Sequence, residues 1–167
     1  MTHPITRSVR HLMFDTRSVR RLFPAKALAA IEERIGQGEK RHSAEVRFVI
    51  EASLGLRGAA SKITPRHRAL AVFSNLRVWD TEANNGVMLY VLLADHAVEL
   101  IADRAAARAV PAAQWQQVCA ELTRAYRAGD YLPGTLAAID RIHELLVPAF
   151  PPRADDVDEL PNRPTIL

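Results

Sequence analysis

The stretch NNGVMLYVLLADHAVELIAD, residues 84–103, decides how this chain is read. Asn84, Asn85 and Gly86 are turn formers. They open onto an unbroken apolar run, VMLYVLLA, residues 87–94. Such a run lacks the alternation of a half-exposed strand and predicts a central strand covered on both faces. Asp95-His96 then reads as a two-residue turn, and residues 97–103 as the returning strand of an antiparallel hairpin. With Ala94 facing Ala97, the register sets Met88 opposite Asp103 and Gly86 near Ala105.

Upstream, EVRFVIEASL (residues 45–54) reads as another strand. Val46, Phe48 and Ile50 alternate with Arg47 and Glu51, and Val49 points to burial on both faces near its middle. Thr64 and Pro65 supply a cap and a first helical residue for a helix over 65–78, expected to bury Ala69, Leu70, Phe73 and Leu76. Strand, helix, strand in this order favours a right-handed parallel crossover. An earlier helix from Pro24 carries Ala27, Leu28, Ile31 and Ile35 on one face and is expected to end at Gly36 and Gly38. Two later helices follow. One spans 111–128 with Trp115, Val118, Cys119, Leu122 and Tyr126 in a stripe. The other spans 133–147 with Leu136, Ile139, Ile142 and Leu146. The expected fold is α/β: a small mixed sheet with helices on both faces.

At 167 residues, 49% hydrophobic and 25% charged, the chain fits one globular domain. Its division is read as a basic N-terminal arm (1–23), the α/β domain (24–150) and a Pro-rich, acidic, extended tail (151–167). Net charge is +3, unevenly placed. Five arginines and one aspartate leave +4 on residues 1–23 and −1 on the rest. The domain itself is therefore not built for nucleic acid, and any such contact is assigned to the arm. The arm repeats TRSVR at 6–10 and 16–20, too little for a repeat architecture. One cysteine, Cys119, excludes an internal disulfide and favours a reducing compartment. MTHPITRSVRHLMF has no long apolar region behind its charges, and no run reaches the ~20 residues of a membrane span. A cytoplasmic protein with neither signal peptide nor anchor is the expectation.

With these elements placed, the chain resembles the TPM domain family from about Glu45 to Phe150. EVRFVIE, RALAVFSNLRVWDTE, NNGVMLYVLLAD, AVELIADRA and YRAGDYLPGTLAAIDRI carry the resemblance. That family includes thylakoid-lumen proteins of photosystem II repair, bacterial envelope proteins and an animal receptor-accessory protein. The resemblance implies a three-layer α/β/α sandwich. It also implies either a phosphatase activity, as ascribed to plant members, or divalent-metal binding, or an accessory role without established activity. In many relatives the first residue of the NNG motif is acidic; here it is Asn84, so one charge of the implied metal site is absent.

Two constellations could carry chemistry. The hairpin register brings Asp103 beside the 80–86 turn, so Asp80, Glu82, Asn84, Asn85 and Asp103 are candidate oxygen ligands for calcium or magnesium. The plainer reading is a turn in which Asp80 and Asn85 bond backbone and Gly86 supplies an unusual φ. The second constellation is an anion site at the helix starting from Thr64. It takes Arg57, Lys62, Arg66 and His67, with Arg104 as a further phosphate contact; a solvated basic helix start is its plainer reading. No H-x-x-x-H, C-x-x-C or G-x-S-x-G pattern is present, so zinc-hydrolase and α/β-hydrolase chemistry has no support. Cys119 lies on an apolar stripe and reads as core. The leading expectation is an accessory or interaction module with a protein partner and weak divalent-cation binding. The alternative is a metal-assisted phosphatase with Asp80 and Asp103 as ligands and Arg104 as clamp.

Overall fold

The computed structural model describes residues 7, 11, 12, 14–55, 58, 63–153, 155 and 157–167. Their elements are α1 (Thr16–Leu22), α2 (Ala25–Glu39), β1 (Val46–Glu51), α3 (Pro65–Asn75), β2 (Val87–Leu92), β3 (Ala97–Ala102), α4 (Arg104–Ala109), α5 (Ala112–Ala128), α6 (Tyr131–Leu146) and β4 (Thr165–Ile166). They build one mixed sheet in the order β3-β2-β1-β4. β1 and β2 run parallel, with Val46 opposite Val87 and Glu51 opposite Leu92. β3 returns antiparallel to β2, and β4 pairs parallel with β1. Every residue of β1 and of β2 is buried. The unbroken apolar run of β2 requires this, while in β1 the charged Arg47 and Glu51 are buried against Thr165 and Arg68.

Alternation along these strands divides the core in two. Val46, Phe48 and Ile50 join Val87, Leu89 and Val91 under α2, α5 and α6, against Ile35, Trp115, Leu122 and Ile142. Val49 joins Met88, Tyr90 and Leu92 on the other face, against Ala69, Val72 and Phe73 of α3. The result is the expected three-layer α/β/α arrangement. Among the described residues no helix is long and apolar enough to cross a membrane.

Several boundaries differ from expectation, each for a physical reason. The hairpin turn takes four residues, not two. Leu93–Asp95 form a 3-10 turn, and His96 closes it in the left-handed region at φ 50°. The strand therefore stops at Leu92, which pairs with Ala97, and the register shifts by two. Met88 faces Ile101, not Asp103. Asp103 instead donates its N–H to the Gly86 carbonyl at 2.8 Å. The shift keeps Asp103 beside the 80–86 turn and brings it nearer.

Helix α2 continues through Gly36 and Gly38 to Glu39 instead of ending there. A Cβ on Gly38 would lie 2.1 Å from the His143 imidazole, so the glycine permits a close helix–helix approach. Helix α3 ends at Asn75, not 78, and Arg77 turns away at φ 52°. Its buried face is Ala69, Val72 and Phe73, the i, i+3, i+4 set, while Leu70 stays 44% exposed. Helix α6 begins at Tyr131, which puts Pro133 in the first turn, where its lack of an N–H costs nothing.

Described residues of both terminal segments pack on the domain. Val19 and Phe23 are fully buried, and the Phe23 ring packs against Phe48, Tyr126 and Tyr131. Arg7 and His11 bond the Asp95 carboxylate at the hairpin turn. Arg17, Arg20 and Arg21 face solvent. At the other end, Leu160 is buried and Leu167 exchanges backbone hydrogen bonds with Ala52 and Ile50 around β4.

Candidate functional site

The 80–86 turn is built by short local bonds. Asn84 N–H donates to the Thr81 carbonyl at 3.1 Å, and Asn85 N–H donates to Thr81 Oγ1 at 3.1 Å. Asn84 takes the left-handed conformation at φ 51°, which a short amide side chain tolerates. Gly86 is required for a different reason from the unusual φ expected of it. A Cβ there would stand 2.0 Å from the Val78 carbonyl oxygen, so its role is close backbone approach.

The five candidate ligands separate into two groups. Asp80 and Glu82 are exposed. Glu82 contributes its backbone N–H, which donates to the Glu159 carboxylate at 3.0 Å. Asn84 Oδ1 accepts from Arg104 Nη2. Asn85 and Asp103 are buried. Asn85 Nδ2 donates to the Ser43 carbonyl, and Asp103 Oδ1 caps α4 by accepting from Arg104 N–H at 2.7 Å. Their other oxygens, Asn85 Oδ1 and Asp103 Oδ2, are sealed from solvent and accept no hydrogen bond. Sealed oxygens without a donor are costly unless something electropositive meets them. The residues present therefore suit a hard cation in part: one free carboxylate oxygen and one free amide oxygen.

Of the anion-site candidates, Arg57 and Lys62 lie outside the described residues. Arg66 turns to the sheet edge, donating to the Leu100 carbonyl at 2.6 Å with Glu99 at 3.5 Å. His67 is exposed, and its N–H is capped by Thr64 Oγ1 at 3.2 Å. Arg104 belongs to the 80–86 turn. The neighbouring Arg68 forms a double hydrogen bond to buried Glu51, which also accepts from the Tyr90 hydroxyl at 2.5 Å. The Glu51 bond holds the Arg68 guanidinium above its usual value.

Sequence reading missed a second acidic group at the same end of the sheet. Glu39 ends α2, Glu45 immediately precedes β1, and Asp158 comes from the C-terminal segment. Glu39 Oε1 accepts from Val46 N–H at 2.8 Å; its Oε2 is sealed and accepts nothing. Glu45 accepts from the Glu159 and Leu160 N–H groups, each at 3.2 Å. Burial pushes the Glu39 carboxyl up to about 9 and that of Glu45 up to about 7. An acidic residue just ahead of a buried strand and the run DDVDEL were the available signals, but nothing in the sequence joins them.

A buried histidine pair lies beneath α2. His42 Nδ1 accepts from Ala44 N–H at 3.2 Å, which assigns the proton to Nε2. That Nε2 donates to His143 Nδ1 at 2.7 Å, leaving a proton on the sealed His143 Nε2. Burial lowers His42 to about 4 and His143 to about 3. These shifts set a pH dependence for the chelator-treated protein. The histidine contribution is whole above 6.5 and is lost as pH falls toward about 4. The glutamate contribution is whole below 4.5 and is lost as pH rises toward about 9. Urea denaturation should show highest stability between about pH 4.5 and 6.5, with a loss on each side. Protonating either imidazole in place costs on the order of 3 kcal/mol. In His42→Gln the acid-side loss should shrink.

Comparisons agree with this architecture. A solved NMR structure, that of BA42 protein from the psychrophilic bacterium Bizionia argentinensis, matches with a TM-score of 0.76 and 28% identity. The match covers 87% of this chain and 95% of that one. No curated protein matches. The family model described as TPM domain matches residues 19–145, which include the crossover, the hairpin and the 80–86 turn. The chain belongs to the TPM domain family.

Proposed function

We propose that this TPM domain is an interaction module whose 80–86 turn and Asp103 bind a divalent cation weakly. The observation that carries this reading is the pair of sealed, donorless oxygens, Asn85 Oδ1 and Asp103 Oδ2, on adjoining segments. Calcium or magnesium would be held there by Asp103 and Asn85, with Asp80 and Glu82 close along the chain to offer exposed carboxylates. With Asn84 in place of an acid, affinity falls in the weak range, because calcium affinity follows ligand charge. Trp79, exposed beside the turn, gives a protein partner an aromatic anchor. The phosphatase alternative needs Arg104 as a clamp for phosphate, and that guanidinium is engaged with Asn84 and lies 3.8 Å from the Asp103 carboxylate.

A residue-by-residue NMR titration tests the reading. Calcium or magnesium at about millimolar levels should shift the amide signals of residues 80–86 and 103–104. Asp103→Asn should remove the response while keeping the α4 cap, since asparagine caps as well as aspartate. Asn84→Asp should tighten binding, and aspartate tolerates the left-handed backbone there. Signals that stay still in both wild type and Asn84→Asp reduce the stretch to a turn.

A further inference from the structure

We propose that the cavity along the free edge of β3 binds an apolar α-amino acid as its zwitterion, with the carboxylate on Arg66 and the ammonium on Glu99. The proposal does not rest on the cation reading of the 80–86 turn. β3 is an edge strand, paired only with β2. Antiparallel pairing alternates, and Asp103 N–H bonds the β2 side, so the backbone groups of Val98, Leu100 and Ala102 face outward. α3 packs on one face of the sheet here and α5 on the other, so the edge becomes the floor of a groove. Ala102, Ala107 and Ala112 fill little of the space between them, and an open cavity of about 570 Å³ remains. Small-molecule sites span roughly 300–1,000 Å³.

The charges of the cavity select the ligand. Among the described residues it is lined by one cation, Arg66, and one anion, Glu99. Arg66 Nη1 donates to the Leu100 carbonyl at 2.6 Å and stands 3.5 Å from Glu99 Oε2. Those contacts anchor the guanidinium at one nitrogen. Its Nε and Nη2 meet no acceptor among the described residues, and the side chain is 52% exposed. Nε and Nη2 together are a fork that holds a carboxylate by two parallel hydrogen bonds. Glu99 Oε1 is likewise without a donor among the described residues, and its pairing with Arg66 is long and weak. A plain anion at this fork would be repelled by Glu99, and a plain cation at Glu99 by Arg66. A molecule carrying a carboxylate and an ammonium on one carbon meets both with the opposite sign.

The rest of the wall suits an apolar side chain. The Trp115 ring lines the cavity beside the three alanines. Its Nε1–H meets no acceptor, so the wall keeps one hydrogen bond unmade. Cys119 stands one helical turn after Trp115 on the same face of α5. Burial pushes its thiol up to about 11, so it stays neutral and adds no charge against a ligand carboxylate.

The test is an NMR titration of the full chain, without added calcium or magnesium, using L-leucine and L-phenylalanine. The chain has two tryptophans, so Trp79→Phe assigns the indole N–H signal of Trp115. At up to about 10 mM, either amino acid should move that indole signal and the amides of residues 98–102 and 119 along one saturating curve. N-acetyl-L-leucine lacks the ammonium and L-leucinamide lacks the carboxylate; each should bind about tenfold more weakly or worse than L-leucine. Arg66→Gln and Glu99→Gln, both at positions open to solvent, keep the fold and should each weaken L-leucine about tenfold or more. Arg66→Lys keeps the charge but loses the fork, and should recover only part of the affinity. The proposal is overturned if neither amino acid moves these signals at about 10 mM. It is equally overturned if N-acetyl-L-leucine or L-leucinamide binds as well as L-leucine, or if the curve survives both glutamine substitutions.

Discussion

Leu89→Asp and Val91→Asp each leave the protein unfolded at 25 °C, read by circular dichroism and by loss of a cooperative urea transition. Both residues sit on β2, the strand flanked by β1 and β3, and neither has measurable contact with water beyond 1%. Both point into the core face under α2, α5 and α6, among buried hydrophobic side chains. An unpaired buried charge costs several kcal/mol, and a domain of this size holds only about 5–15 kcal/mol in reserve. The substitution also removes a branched side chain from a packed layer, adding roughly 2–5 kcal/mol. Wild-type melting of both variants would displace β2 from the centre of the sheet.

Gly86→Ala is expected to cost on the order of 3 kcal/mol and to blunt the cation response of the 80–86 turn. The added methyl meets the Val78 carbonyl oxygen at 2.0 Å, and that oxygen belongs to backbone that cannot rotate out of the way. Relief requires residues 78 and 86 to part, which pulls Gly86 from its bond with Asp103 N–H. Gly129→Ala provides the comparison. Gly129 ends α5 in the left-handed region at φ 88° with open space around it, so alanine there costs only about 1–2 kcal/mol of backbone strain. Equal losses for the two would show that Gly86 is not a contact glycine. Urea midpoints measure the stability difference, and the amide titration measures the cation response.

The sequence reading succeeded where a strand or helix announces itself by its own residues. The apolar run of β2 requires burial on both faces, β1 alternates around a two-sided Val49, and the strand–helix–strand order allows one common handedness, so the parallel crossover was legible. The stripe of Trp115, Val118 and Leu122 marked α5 for the same reason. The reading failed where a distant partner decides the outcome. Gly36 and Gly38 look like helix stops, yet α2 runs through them because His143 and Asn162 pack against that face. The hairpin register depended on whether Leu93 and Ala94 belonged to the strand or the turn, and both are apolar. β4 is two residues long, too short to alternate.

The candidate site shows the same division. Asn84, Asn85, Gly86 and Asp103 come together because a local turn and a hairpin place them, and both were visible in the sequence. Glu39, Glu45 and Asp158 meet only after α2, β1 and the C-terminal segment have packed. His42 and His143, 101 residues apart, are likewise joined by tertiary structure alone.

The most direct test of the central claim, that the end of the sheet around Asp103 takes a divalent cation, is a crystal soaked in calcium and measured for anomalous scattering. The account predicts a peak beside Asp103 Oδ2 and Asn85 Oδ1, lost in Asp103→Asn. A map with no peak there, and with both oxygens bonded to water instead, would contradict it.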